Sequence, residues 1–147
     1  MSSKRDSGGF TLIELMIVVV VVALLAAIAL PSFMNSIRKS RRAEAVASIS
    51  AIEQAQERWR ANNTTYAANS VLTTAAPNGL GQPATTENGR YSLALSGNNE
   101  TGYVVTATAV TTGSQASDTQ GSTSCATLTV TITNGNGVKA PAACWSQ

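Results

Sequence analysis

The stretch GGFTLIEL, residues 8–15, determines the expected architecture of this chain. A short polar leader with two basic residues precedes it, and an almost wholly apolar run follows it as far as Leu30. At roughly 1.5 Å per residue, the run from Phe10 to Leu30 makes a helix about 31 Å long, which matches the hydrocarbon core of a bilayer. The sequence therefore predicts a membrane-spanning helix, residues 10–30, near the amino terminus.

Glu14 is the exception within this apolar run. A carboxylate in hydrocarbon costs about 2.5–3.5 kcal/mol on insertion scales, so Glu14 calls for a positively charged partner. A cut after Gly9 would free the amine of Phe10, and a protonated amine packed beside a carboxylate offsets the burial cost of both. The alternative is an interfacial carboxylate that reaches water.

The leader, residues 1–9, contains none of the apolar run. Cleavage between Gly9 and Phe10 would therefore leave the run on the mature chain, whereas an ordinary secretory signal loses its apolar region on processing. The competing site is Ala27-Ile28-Ala29, of the small-x-small form. It would require an unusually long apolar region that also contains Glu14.

These residues resemble the class III signal of type IV prepilins. The resemblance implies that a prepilin peptidase cuts after Gly9 and methylates the new amine of Phe10. It also implies that Glu14 pairs with the methylated amine of a neighbouring subunit and that Pro31 belongs to the assembly helix. The tracts at residues 38–45 and 56–66 are similar to those of PilE-type minor pilins.

Beyond the span, a second helical half is predicted over residues 31–61. Pro31 interrupts the hydrogen-bond ladder, so we expect a kink there. Ala45, Ile49, Ile52 and Trp59 then fall on one stripe that requires a partner surface.

Four basic residues precede this stripe: Arg38, Lys39, Arg41 and Arg42. Because a face that carries guanidinium groups is not expected to pack into a core, the globular head is expected to begin near Ala45. The basic residues are then expected to face water or lipid headgroups, with nucleic-acid contact as the alternative.

The rest of the chain predicts a small antiparallel sheet. Residues 62–89 are read as a connecting loop region, and alternating apolar residues mark strands at 90–96, 102–110 and 126–133. Turn residues at 96–102 predict a hairpin between the first two strands. Residues 111–124 are expected to be exposed or mobile, and residues 134–137 to form a tight turn. The predicted fold is α+β, with the helix covering the sheet of residues 90–133.

Cys125 and Cys144 are the only cysteines. Both lie on the side of the span that a positive leader would send out of the cytoplasm, so a disulfide is expected there, with two free buried thiols as the alternative. It would close a loop of about 20 residues and stabilise the head by about 3 kcal/mol. The pair also resembles the disulfide-bounded D-region of type IV pilins, here residues 125–144.

The composition gives no support to catalysis. The chain has no His, and it shows no nucleophile pair, metal site or clustered carboxylates outside the span. Glu53 and Glu57 lie one helical turn apart, but with Arg58 and Arg60 following they are read as a solvated charged face, the alternative being a catalytic pair. We therefore expect a protein that is not an enzyme and has no cofactor. A catalytic domain tethered by an uncleaved anchor is the class that this composition disfavours most.

The resemblance implies a structural subunit of a type IV pilus, most like a minor pilin that primes or joins the filament, with roles in adhesion, twitching motility and DNA uptake. A major pilin and a type II secretion pseudopilin are the alternatives. A DNA-binding uptake pilin is less favoured, because Arg90 and Lys139 are the only basic residues after Arg60.

The expected partners are other pilin subunits, the prepilin peptidase, the inner-membrane assembly platform and, before assembly, membrane lipid; nucleic acid is weakly supported. The expected location is the inner membrane, with a single pass and the head in the periplasm, and the extracellular pilus.

Overall fold

The computed structural model describes residues 10–145, so the predicted leader and Gly9 lie outside the described residues. One long helix, α1, runs from Leu12 to Arg60 and continues through Pro31. Pro31 has no backbone N–H, so one hydrogen bond of the helix is missing, but the helix continues past it. The chain divides into two compact units, one ending at Ser36 and the other beginning at Ile37.

Up to residue 145, the second unit contains six strands: β1 (Tyr91–Ser96), β2 (Gly102–Ala109), β3 (Thr119–Gln120), β4 (Thr123–Ser124), β5 (Thr127–Thr133) and β6 (Asn136–Ala140). Four of them form an antiparallel sheet in the order β1-β2-β5-β6, and β3 pairs with β4 in a separate ribbon. Short 3-10 helices lie at Asn69–Val71, Ser114–Ser117 and Ala142–Trp145. The predicted α+β architecture is confirmed.

The core lies between the predicted helical stripe and one face of the sheet. Ala45, Ile49 and Ile52 are fully buried in α1. The inward positions of the sheet alternate as the apolar pattern predicts, and they are Tyr91, Leu93, Leu95, Tyr103, Val105, Ala107, Leu128 and Val130. Period-two patterning therefore located β1, β2 and β5, because each of these strands buries only one face.

The fourth strand of the sheet, β6, was not predicted. Asn134 and Gly135 both have positive φ, 50° and 77°, and Thr133 pairs with Asn136. This two-residue loop has the backbone of a tight hairpin turn, which returns the chain as a strand. All five residues of β6 are exposed, so no buried alternation marks the strand in the sequence.

The connection between β2 and β5 differs from its prediction. Residues 111–124 were expected to be exposed or mobile, but Gln115 and Asp118 are buried. The predicted start of the head near Ala45 was also wrong, because Arg42 is buried as well. The physical reason is mutual neutralisation: the cation of the helix meets the carboxylate of the connection inside the head.

Two polar contacts fix the long connection between α1 and β1 onto the helix. The fully buried amide of Gln56 donates from Nε2 to the Ala67 carbonyl at 2.9 Å and accepts from the Ala67 N–H at 2.8 Å. Glu44 accepts from the backbone N–H of Asn88 at 2.9 Å and from its Nδ2 at 3.1 Å. The connection is thus anchored at two points along α1.

Candidate functional site

The amino-terminal part of α1 presents an exposed apolar surface within residues 10–145. It is long and apolar enough to cross a membrane. Its large side chains are exposed, including Leu12 and Ile28, each at 78%, and Phe10 just before the helix is exposed at 85%. Exposed apolar surface of this extent is stable only in lipid or against other apolar helices.

A capping box begins this helix. The Glu14 backbone N–H donates to Oγ1 of Thr11 at 3.2 Å, and the Thr11 backbone N–H donates to Oε2 of Glu14 at 3.5 Å. The pair satisfies two of the orphan donors at the helix start, as Thr-x-x-Glu does at many helix termini. This local role of Glu14 was not predicted, although the Thr-x-x-Glu spacing would have revealed it.

The capping box leaves part of the Glu14 carboxylate available. Within residues 10–145, Oε1 of Glu14 accepts no hydrogen bond. An ammonium group could therefore approach Oε1 without breaking the capping box. The predicted amine partner and the cut between Gly9 and Phe10 stay predictions, because Gly9 lies outside the described residues.

The second unit contains a buried ion pair between α1 and the connection before β5. Nε of Arg42 lies 3.6 Å from Oδ2 of Asp118, and both side chains are almost fully buried. Burial raises the pKa of the Asp118 carboxyl, and the nearby charges of Arg42 and Arg38 partly oppose that rise. The burial of Arg42 corrects the prediction that it faces water or lipid headgroups, and no sequence pattern marked Asp118.

Further polar contacts surround this ion pair. Nη2 of Arg42 donates to Oε1 of Gln120 at 3.1 Å, and Nη1 contacts Sγ of Cys125 at 2.6 Å. Nε2 of Gln115 donates to Oδ2 of Asp118 at 3.2 Å and to the Tyr91 hydroxyl at 2.8 Å. We call these residues the buried network: Arg42, Tyr91, Gln115, Asp118 and Gln120. The network connects α1, β1 and the 111–124 connection.

The disulfide between Cys125 and Cys144 is formed beside the buried network. Both sulfurs belong to buried residues, and their Cα atoms are 5.6 Å apart. The bond attaches the Ala142–Trp145 3-10 helix to the start of β5. The carboxyl-terminal segment, the sheet and α1 therefore meet at one place.

The remaining basic side chains of the head differ in how far they are already engaged. Arg60 donates to the carbonyls of Asn63 and Glu100 and lies over the Tyr66 ring. Lys139 lies over the Trp145 ring, 5.1 Å from its centroid. Arg58 is exposed, and within residues 10–145 its guanidinium makes no hydrogen bond or ion pair. Arg58 is thus a cation available to a ligand.

Comparison with known proteins yields two family matches that adjoin each other. Residues 4–30 match the prokaryotic N-terminal methylation motif. Residues 31–129, more than half of the chain, match the family described as type IV minor pilin ComP, DNA uptake sequence receptor.

Curated relatives share a shorter region with the chain. The type II secretion system core protein G of Aeromonas hydrophila is 33% identical over 63 residues, 43% of this chain and 44% of the relative. The type IV major pilin protein PilA of Myxococcus xanthus is 42% identical over 58 residues, 40% of this chain and 26% of the relative. The core protein G of Vibrio cholerae is 35% identical over 66 residues, 45% of each chain. The match thus spans less than half of the length of each of these relatives.

Proposed function

The chain belongs to the type IV minor pilin ComP family, and from that premise we propose that it is a minor pilin that joins a type IV pilus and takes part in DNA uptake. The observation that carries the proposal is the family match over residues 31–129, which includes the second half of α1, the strands β1 and β2, and the start of β5. The methylation motif over residues 4–30 supplies the part that a pilin needs for processing and assembly.

The surface of α1 supports the assembly step. Before assembly, a bilayer would bury the apolar side chains from Phe10 to Leu30, and within a filament the helices of other pilin subunits would bury the same side chains. Extraction then exchanges one apolar environment for another. Oε1 of Glu14 would accept the methylated amine of Phe10 from a neighbouring subunit, while Oε2 stays in the capping box.

This mechanism requires other proteins and a defined topology. A prepilin peptidase would cut between Gly9 and Phe10, and an inner-membrane platform would move the subunit out of the lipid. We place the single helix across the inner membrane, with the head in the periplasm and later in the extracellular pilus. Adhesion and twitching motility would be properties of the filament that this subunit joins.

The DNA-uptake part of the proposal is supported mainly by the family match, since the sequence shows few basic residues in the head. Arg58 supplies one available cation. Phosphate contacts of this kind add affinity for DNA without distinguishing one base sequence from another. We assign no catalytic role to the chain. Its part would be to capture DNA at the pilus, and other chains would move and process it.

The proposal is tested by deleting the gene in its native host and restoring it from a plasmid. We expect pili to remain visible while uptake of added DNA falls by at least about tenfold, and restoration to recover uptake. In sheared filaments, mass spectrometry should find few copies of the chain, each beginning at a methylated Phe10. Filaments made mainly of this chain would identify a major pilin, and loss of protein secretion with normal DNA uptake would identify a pseudopilin.

A further inference from the structure

A cleft of about 270 Å³ lies at the carboxyl end of α1, beside the connection to β1. Trp59 and Ala55 line it from the helix, Pro77 and Leu80 line it from the connection, and Arg58 and Asn62 stand at its polar side. Its volume is at the small end of ligand pockets, which are mostly apolar with a few polar groups that orient the ligand. A ligand of about one or two rings fits such a cleft.

Trp59 has a fixed position in this cleft. Its indole Nε1–H donates to the Thr65 carbonyl at 3.2 Å, and its backbone carbonyl accepts from Nδ2 of Asn63 at 2.9 Å. The side chain is half-buried against the core. Because the N–H is already used, Trp59 can offer a ligand only the carbon surface of its ring. That surface favours a flat, stacking ligand.

Arg58 and Asn62 are one helical turn apart and both exposed. In the part of the chain that the structure describes, neither side chain makes a hydrogen bond or an ion pair. Arg60, by contrast, is held by two carbonyls and the Tyr66 ring. A guanidinium suits phosphate, and a carboxamide offers both donors and acceptors to the edge of a base.

From this arrangement we propose that the cleft binds an unpaired base of single-stranded DNA. The base stacks on Trp59 between Leu80 and Pro77, the adjoining phosphate binds Arg58, and Asn62 bonds to the edge of the base. Paired bases within a duplex are stacked on both faces and cannot enter a cleft of this size. The inference rests on the proposed DNA-uptake function and specifies which form of DNA the head would hold.

The test uses the full chain in detergent micelles, with Trp145→Phe so that Trp59 is the sole tryptophan. A short oligothymidylate and the duplex formed with its complement are titrated separately. We expect the single strand to quench Trp59 fluorescence and to bind at least about tenfold more tightly than the duplex. Variants that lack Trp59 are compared with the parent by the fluorescence anisotropy of a dye-labelled oligothymidylate. Base–aromatic stacking is a sequence-tolerant contribution of roughly 5- to 150-fold in affinity, so Trp59→Leu should weaken binding by a factor in that range.

Three variants separate the cleft from general effects. Arg58→Gln should weaken binding and lower the salt slope by about 1, because one phosphate contact is lost. Lys39→Gln removes an exposed cation of the same helix outside the cleft. This variant should change neither the affinity for the single strand nor the salt slope. Trp59→Phe keeps a stacking ring, so it should retain most of the affinity. Its circular dichroism shows whether the variant is folded.

Two results would overturn the inference. One is equal binding of single strand and duplex without quenching, and the other is an Arg58→Gln variant that binds as the parent does. Both leave the proposed function intact as long as deletion of the gene still abolishes DNA uptake. Normal uptake after deletion would instead remove the proposed function itself.

Discussion

Arg42 and Asp118 form an ion pair inside the head, with Nε and Oδ2 3.6 Å apart and less than 5% of either side chain exposed. Arg42 belongs to α1 and Asp118 to the connection that precedes β3. The pair lets a charged turn of the helix enter the core, and it orders a connection that is rich in Ser, Thr and Gly. The stability of the head should therefore depend on keeping both partners.

Removing one partner of this pair should be costly. Arg42→Met leaves the Asp118 carboxylate buried without its cation, and losses of this kind are about 3–5 kcal/mol. Urea unfolding of the full chain in micelles, followed by the fluorescence of Trp59 and Trp145, measures the change. The double variant Arg42→Met/Asp118→Leu should lose less unfolding free energy than Arg42→Met alone, because it leaves no unpaired charge in the core. Lys39→Met, at an exposed site of the same helix, should stay within about 0.5 kcal/mol of the parent.

The Gln56 side chain should be a second critical anchor. Gln56→Leu removes both hydrogen bonds to the backbone of Ala67 and leaves the buried N–H and C=O of Ala67 unsatisfied. Each unsatisfied group should lower the unfolding free energy by about 1–3 kcal/mol. Gln54→Leu is the matched control, since Gln54 is exposed two residues away on α1. Equal stability of the two variants would show that the Gln56 amide does not hold the connection.

The sequence predicted those features whose signal is periodic. The apolar run of α1, the stripe at Ala45 and Ile49, and the alternation in β1, β2 and β5 each depend on neighbours along the chain. The Asn-Gly composition of residues 134–137 also indicated a turn, of which Asn134 and Gly135 form the loop while the next two residues begin β6. These elements define the α+β architecture.

The features that the sequence did not predict depend on contacts between distant segments. Nothing local indicates that Asp118, in a Ser- and Thr-rich connection, will meet Arg42 of the helix. Exposed β6 carries no apolar alternation, so only its pairing with β5 identifies it. The cleft at Trp59 likewise exists only because Pro77 and Leu80 return to the end of α1.

The contact between Glu44 and Asn88 should make stability depend on pH. Burial by itself would raise the pKa of the Glu44 carboxyl, but hydrogen bonds from Asn88 and Thr86 and the charge of Arg90 together lower it. A lowered folded-state pKa means a stabilisation that is present above the unfolded pKa of about 4.3 and lost as the pH falls through the folded value. Glu44→Gln should therefore be less stable than the parent at pH 7, and the difference should shrink below about pH 4.

A control distinguishes this contact from a general loss of negative charge. Glu87 is exposed, and in the described part of the chain its carboxylate makes no hydrogen bond or ion pair. Glu87→Gln should leave the unfolding free energy nearly unchanged at both pH values. If the difference in unfolding free energy between Glu44→Gln and the parent stayed constant with pH, the role of the carboxylate charge would be contradicted.

The disulfide and the buried network should be energetically coupled, because Nη1 of Arg42 contacts Sγ of Cys125. Replacing both cysteines by Ser opens a loop of about 20 residues and should cost about 3 kcal/mol on the chain-entropy estimate. If that were its only effect, the cost would add to that of Arg42→Met.

Residues in contact instead show interaction energies of about 0.5–3 kcal/mol. We expect Arg42→Met to cost less once the disulfide is gone, since the 111–124 connection and Asp118 can then move toward water. Urea unfolding of the parent, the Arg42→Met variant, the double-Ser variant and their combination completes the cycle. Strict additivity would mean that the disulfide stabilises the carboxyl-terminal segment without holding the ion pair in place.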